Sequence, residues 1–277
     1  MASAAIAFTQ HPAAHGVAWL RRAFAMFREQ RLPWVLLFCG YMAVLFLVNF
    51  IPFVGAFAVF VIKPVLAVGL LAAAWGQERG VPPTLQQLFH GFRSNVWALV
   101  AIGVFFVAGM AIAVQASALV DGGKLRELAG STTTYTEQQV RELLGDGRVQ
   151  LAMLFSALLA IPVLLATWWA PALVVFQDAG AGAALAASLR AAAANWRALA
   201  LYALSILFFY MLLPMLVLTL LAVLLPTAVT QLLVVLVMLP YSIVLTVTLH
   251  ISDYVSYRDV FHADEPLTPL APGTGST

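Results

Sequence analysis

The chain has 277 residues, of which 63% are hydrophobic and 9% charged, with a formal net charge of +2. Soluble domains carry about 25% charged residues, so this composition excludes a water-facing exterior over most of the surface. The small net charge forms no basic stripe and excludes nucleic-acid recognition from the reading.

In chain order, the opening MASAAIAFTQHPAAHG lacks the basic start and continuous apolar core of a cleavable signal peptide. Residues 1–15 are read as a tail, and the first span is expected to act as an uncleaved membrane signal. His11 and His15 stand four apart, a spacing that shares a helical face as zinc pairs do. No cysteine or carboxylate near them in the sequence completes a ligand set, so no metal and no other cofactor is assigned.

A bilayer core of about 30 Å takes roughly 20 apolar helical residues. Six runs meet that length: Trp34–Phe50, Phe53–Trp75, Val96–Val120, Leu151–Phe176, Leu199–Leu225 and about Ala228 to Ile251. Helix is expected because backbone groups in hydrocarbon must pair within their own segment. Cys39 lies inside the first run without an adjacent base and reads as an apolar filler.

The first and second runs join through Asn49-Phe50-Ile51-Pro52-Phe53-Val54-Gly55, and the fifth and sixth through Leu225-Pro226-Thr227, both without charge. Arg21, Arg22, Arg28, Arg31, Arg79, Arg93, Arg190, Arg197 and Arg258 fall at the other ends. That is nine of the fourteen basic residues on the side holding both termini. The positive-inside rule places that side in the cytoplasm and the Asp121–Gln150 loop outside. Within the loop, Thr136-Glu-Gln-Gln predicts a capping box, and Gly145 a helix stop. The tail at 263–277, rich in proline, glycine, serine and threonine, reads as disordered.

The segment from Phe176 repeats an earlier one at a shift of one hundred residues. Gln177-Asp178 matches Gln77-Glu78, Gly180 matches Gly80, Leu185 matches Leu85, and Asn195 matches Asn95. A third copy near the N-terminus shares only spacing. The apolar faces Leu20/Phe24/Phe27, Leu85/Phe89/Phe92 and Leu185/Leu189/Ala192/Trp196 recur at helical intervals. The expected architecture is therefore all-α and polytopic. It has six transmembrane helices in three hairpins over residues 16–262, each hairpin preceded by a cytoplasmic interfacial amphipathic helix.

Gly16…Trp19…Phe24…Phe27-Arg28…Pro33, Ile51-Pro52-Phe53-Val54-Gly55 and Pro64…Gly69 together resemble an uncharacterised family of bacterial six-span inner-membrane proteins. Pro171-Ala172-Leu173-Val174, Ser188…Asn195-Trp196 and Tyr254-Val255-Ser256-Tyr257-Arg258-Asp259-Val260-Phe261 extend the likeness over the second half. A more distant resemblance is to the membrane domain attached to some glycerophosphodiester phosphodiesterases, whose catalytic domain is absent here. The resemblance implies a fold and a location, with no activity or site residues.

Lys63 is the one charge inside a run, and an ionisable group in a span is a functional hypothesis by default. It is read either as a polar site with Gln115, Asn49 or Gln231 nearby, or as a lysine snorkelling to the headgroups. His250, Asp253, Tyr254 and Tyr257 share one face at the cytoplasmic end of the last span, where they form either a proton- or cation-holding cluster or interface anchors. Phosphate loops, nucleophile elbows and HExxH helices are all missing, so no enzyme is expected. The expectation is a non-enzymatic membrane scaffold that organises lipid or an unidentified membrane-protein partner. The alternative is a small permease built on Lys63, with prolines at Pro64, Pro162, Pro214 and Pro240 as helix breakers.

Overall fold

The computed structural model describes residues 6–52, 54–130 and 135–262, and every regular element among them is helical. Six segments are long and apolar enough to cross a membrane: Arg31–Asn49, Phe57–Glu78, Val96–Asp121, Gly147–Gln177, Trp196–Leu224 and Thr227–Phe261. The last continues ten residues past Ile251, because Ser252, Asp253 and the tyrosines that follow find protein partners. The tail at 263–277 lies outside the described residues.

Helix α1 (Ala14–Glu29) runs almost directly into α2 (Arg31–Asn49), and α3 (Gly55–Glu78) follows. A 3-10 helix, Leu85–Arg93, leads into α4 (Val96–Ala116). Short helices α5 (Ala118–Asp121), α6 (Lys124–Gly130) and α7 (Glu137–Gly145) make the long connection. Then come α8 (Gly147–Trp168), α9 (Ala170–Gln177), α10 (Ala181–Ala194) and α11 (Trp196–Leu207). The chain closes with α12 (Leu213–Leu224), α13 (Thr227–Leu233) and α14 (Leu239–Phe261), with π-helical turns at Phe208–Leu212 and Val234–Met238. The predicted capping box forms: Thr136 Oγ1 accepts from Gln139 N at 3.3 Å and Thr136 N donates to Gln139 Oε1 at 2.9 Å. Gly145 is the last residue of α7.

The first and last described segments meet at one end of the bundle, the terminal end, where Thr9 N donates to the Val260 carbonyl at 2.7 Å and Phe8 packs edge-on to Phe261. At this terminal end sits the core, built from Trp19, Trp34, Trp169, Tyr202, Tyr254 and Tyr257. Helix α1 lies against α11 and α14. Close approach demands Gly16, since a Cβ there would lie 2.1 Å from the Ala198 carbonyl oxygen.

The segments expected to lie at the interface bury other faces than the sequence suggests. Leu85–Arg93 winds as a 3-10 helix, and its Leu85, Phe89 and Phe92 point outward while Leu88 and Gly91 meet α3. In α10 the buried stripe is Ala184, Ala187, Ser188, Ala191 and Ala192, with Leu189 and Trp196 outside. Periodicity selected the bulky apolar residues, but helix-to-helix contact without a hydrophobic driving force favours the small ones.

Pro64 and Pro162 sit inside unbroken helices. The fourth span breaks instead at Trp169, ahead of Pro171. There the Ser188 hydroxyl accepts from Trp169 N at 3.1 Å and donates to the Leu165 carbonyl at 2.7 Å, so one side chain bridges the i→i−4 pair that separated. Pro214 and Pro240 each follow a π-helical turn, which widens the helix by one residue where the ring would crowd the preceding carbonyl. In a π turn Phe209 O would take its bond from residue 214, a proline with no N–H. The Tyr241 hydroxyl supplies that bond at 2.6 Å.

Away from the terminal end the fifth and sixth spans stand clear. Helices α12 and α13 have no buried residue, and Met215, Leu216, Val223 and Leu224 are among the most exposed apolar side chains. Such a surface suits hydrocarbon as its solvent, where exposing leucine carries no cost.

Candidate functional site

The terminal end gathers a connected set of polar side chains. The last turns of α14 carry Tyr254, Tyr257, Arg258 and Asp259, and His262 follows. Glu78, at the end of α3, accepts from the Tyr254 hydroxyl at 2.7 Å. It also lies 3.7 Å from Arg258 Nε and 3.8 Å from an Arg22 terminal nitrogen. Its neighbour Gln77 accepts from Trp34 Nε1 at 2.7 Å and donates to the Met26 carbonyl at 2.8 Å, tying α1, α2 and α3 together. The repeat partner Gln177 does the same work for the last helix, with its amide 3.2 Å from His262 Nε2; the Tyr257 hydroxyl is 2.8 Å from that nitrogen.

Asn95 and Asn195, the other repeat pair, diverge. Asn95 Oδ1 caps α4 through Ala98 N at 3.2 Å. Buried Asn195 reaches the N-terminal segment, accepting from His11 N at 2.8 Å and donating to the Thr9 carbonyl at 3.0 Å. Thus residues 9–11 are seated before α1 begins.

That seating brings His11 and His15 to Asp259. The His15 Nδ1–H donates to Asp259 Oδ2 at 2.7 Å, and the same oxygen accepts from buried Trp19 Nε1 at 2.7 Å. The His11 Nε2–H donates to the Asp259 carbonyl at 3.0 Å, and the two imidazoles stack with centroids 4.3 Å apart. The carboxylate missing from the sequence neighbourhood therefore arrives from the other end of the chain. A cleft of about 400 Å³ opens beside it, bounded by His15, Trp19, Arg22, Glu78, Arg258 and Asp259. Sequence reasoning passed over Asp259, Glu78 and Trp19 as site residues. The available signal was a second acid, beyond Asp253, in the last turn of a helix that begins apolar.

The other expected residues are dispersed. His250 and Asp253 line a small cavity of about 40 Å³ with Trp168, Pro171 and residues of α3, 3.7 Å apart. The Tyr41 ring packs edge-on to His250. Tyr254 and Tyr257 instead stack around Phe176 and serve the terminal cluster. Lys63, Gln115, Asn49 and Gln231 are all exposed, and Lys63 has no hydrogen-bond or ion-pair partner among the described residues. Gly69 meets Leu88, Gly91 meets Val65 and Gly103 meets Val61, which sets α3 and α4 antiparallel. Lys63 is then level with residue 101, and Gln115 lies about 21 Å farther along the axis at 1.5 Å per residue. Asn49, beside Gly55, is about 12 Å from Lys63 in depth by the same rise. Cys39 is exposed on α2.

Outside the spans, two groups among the described residues are perturbed. Burial, with Arg93 adding repulsion, holds His90 below the ordinary imidazole range. The Lys124 hydrogen bond, joined by the Arg148 backbone N–H, holds the Asp146 carboxyl below the usual carboxylate range.

The chain is 32% identical over 265 residues to a probable inner membrane protein of Burkholderia thailandensis, covering 94% of this chain and 95% of that one. No family model and no solved structure matches the chain. None of these comparisons carries the more distant likeness to the glycerophosphodiester phosphodiesterase membrane domain.

Proposed function

The chain belongs to the family of that inner membrane protein, and on this premise we propose that it is a non-enzymatic scaffold of the bacterial inner membrane which organises lipid and a membrane partner. Both termini and the three arginine-flanked segments lie on the cytoplasmic side in this reading, by the positive-inside rule, and the repeats make three interfacial helices introducing three hairpins.

The observation that carries the proposal is a lateral groove of about 410 Å³ between α1, the start of the fifth span's π turn, and α14. Its walls are almost wholly apolar, including Val17, Leu20, Phe24, Phe209 and Leu245, and Arg21 stands on its rim. Arg22 pairs with Glu78, whereas Arg21 has no ion pair among the described residues. An apolar trough on a lipid-facing surface, with an uncompensated guanidinium at headgroup level, fits one acyl chain and the phosphate of an anionic phospholipid. The unburied distal parts of α12 and α13 supply the face for a partner. The permease reading has less support, because its polar residues are spread along the molecule instead of converging on Lys63.

Native mass spectrometry of the protein released from mild detergent tests this. One retained phospholipid per chain is expected, anionic in preference to zwitterionic. Val17→Trp with Leu245→Trp should fill the groove and abolish retention, and Arg21→Gln should erase the headgroup preference. Retention that ignores all three substitutions would remove the reading.

A further inference from the structure

We propose that His11, His15 and Asp259 bind one divalent transition-metal ion of the zinc class at the edge of the terminal cleft. The site is separate from the lipid groove and does not depend on it.

His11, His15 and Asp259 each bring one ligand atom to the same point, and the three atoms lie within 4.8 Å of one another. Asp259 Oδ2 is 2.7 Å from His15 Nδ1 and 3.7 Å from His11 Nε2. Ligands at about 2.0–2.1 Å around a tetrahedral zinc stand roughly 3.3 Å from each other, a separation these distances bracket. Seating the ion therefore asks for side-chain adjustments of about an ångström, with no rearrangement of helices.

The surroundings hold the ligands in place. Trp19 Nε1 donates to the carboxylate from a fully enclosed position, and this bond survives metal binding because a carboxylate oxygen has a second lone pair. Asn195 pins the His11 backbone. Each imidazole now carries its proton on the ligating nitrogen; on binding, that proton moves to the other ring nitrogen, so neutral histidine needs no net proton loss. The metal would replace the His15–Asp259 and His11–Asp259 hydrogen bonds with stronger contacts between the same residues.

The donor set selects the ion class. Two imidazoles and one carboxylate suit zinc and its neighbours, whereas calcium and magnesium favour all-oxygen shells and would find a single carboxylate here. The open cleft leaves a coordination position for water or an exchangeable anion, with Arg22 and Arg258 on its wall. Because His11 precedes α1 and Asp259 lies in the last turn of α14, the ion would also clasp the first described segment to the last helix.

The test uses the full chain in detergent, purified without a histidine tag, stripped with chelator and titrated with Zn²⁺, Co²⁺ or Mg²⁺. We expect one Zn²⁺ per chain by elemental mass spectrometry, visible bands of tetrahedral Co²⁺, a raised thermal midpoint with Zn²⁺ and none with Mg²⁺. His15→Gln and His11→Gln should each weaken Zn²⁺ binding more than about tenfold, the loss typical even for residues that only support a metal ligand. A wild-type chain that takes up no stoichiometric Zn²⁺ overturns the proposal, whether or not the variants fold. Equal uptake by the folded double variant overturns it too, and leaves the cluster as a hydrogen-bonded clasp.

Discussion

Ser188 sits between the Trp169 N–H and the Leu165 carbonyl, the two groups an unbroken helix would join directly. It is fully buried, so removing the hydroxyl leaves a donor and an acceptor with neither water nor protein to meet them. We predict that Ser188→Ala costs on the order of 1–3 kcal/mol, read as a lower thermal midpoint in detergent. An unchanged midpoint would mean that the span recloses without it. At this scale the sequence revealed residue types and local spacing, and little else. His11 and His15 were legible as a pair because their relation is local. Asp259 was not, because the fold alone brings it across a sequence separation of 244. Lys63 was legible as an anomalous charge, yet the distances that isolate it depend on the register between α3 and α4.

The spans themselves were readable at the scale of elements, since an apolar run of bilayer length is a local property of the chain. Their irregularities were harder to see. Proline marks a lost donor, but whether the helix continues, widens to a π turn or breaks depends on who supplies the replacement bond, as Tyr241 and Ser188 do here. The 3-10 segment Leu85–Arg93 was likewise not legible, and it lies tight against α3. A Cβ on Gly91 would fall 1.9 Å from the Val65 carbonyl oxygen. Gly91→Ala should therefore push the segment off α3 at a cost of about 1–3 kcal/mol, measured as a lower unfolding midpoint and faster amide exchange across 85–93. Exchange equal to the native protein's would show that the contact is loose.

In the long connection, the Asp146 carboxyl is held low by Lys124, so its contribution is complete above the ordinary carboxyl value of about 3.9 and fades as pH falls through the lower folded value. Asp146→Asn should speed exchange where α7 meets α8 at about pH 6, and the difference from native should shrink once pH drops below that range. A difference that stays constant down to strong acid would argue against the pair.

Over the whole molecule, packing is uneven. Large buried aromatics and the first and last described segments concentrate at one end, while the fifth and sixth spans reach away from it with their apolar side chains uncovered. Such a gradient fits a terminal end that borders water and spans that lie in hydrocarbon, and the proposed reading turns the arginine-rich side toward the cytoplasm. Impermeant maleimide labelling tests that orientation directly, after Cys39→Ser, with single cysteines placed at Gln138 on α7 and Ala183 on α10. The account predicts that Gln138→Cys reacts in intact cells and Ala183→Cys reacts only after the inner membrane is opened. Labelling of Ala183→Cys in intact cells with Gln138→Cys protected would contradict it.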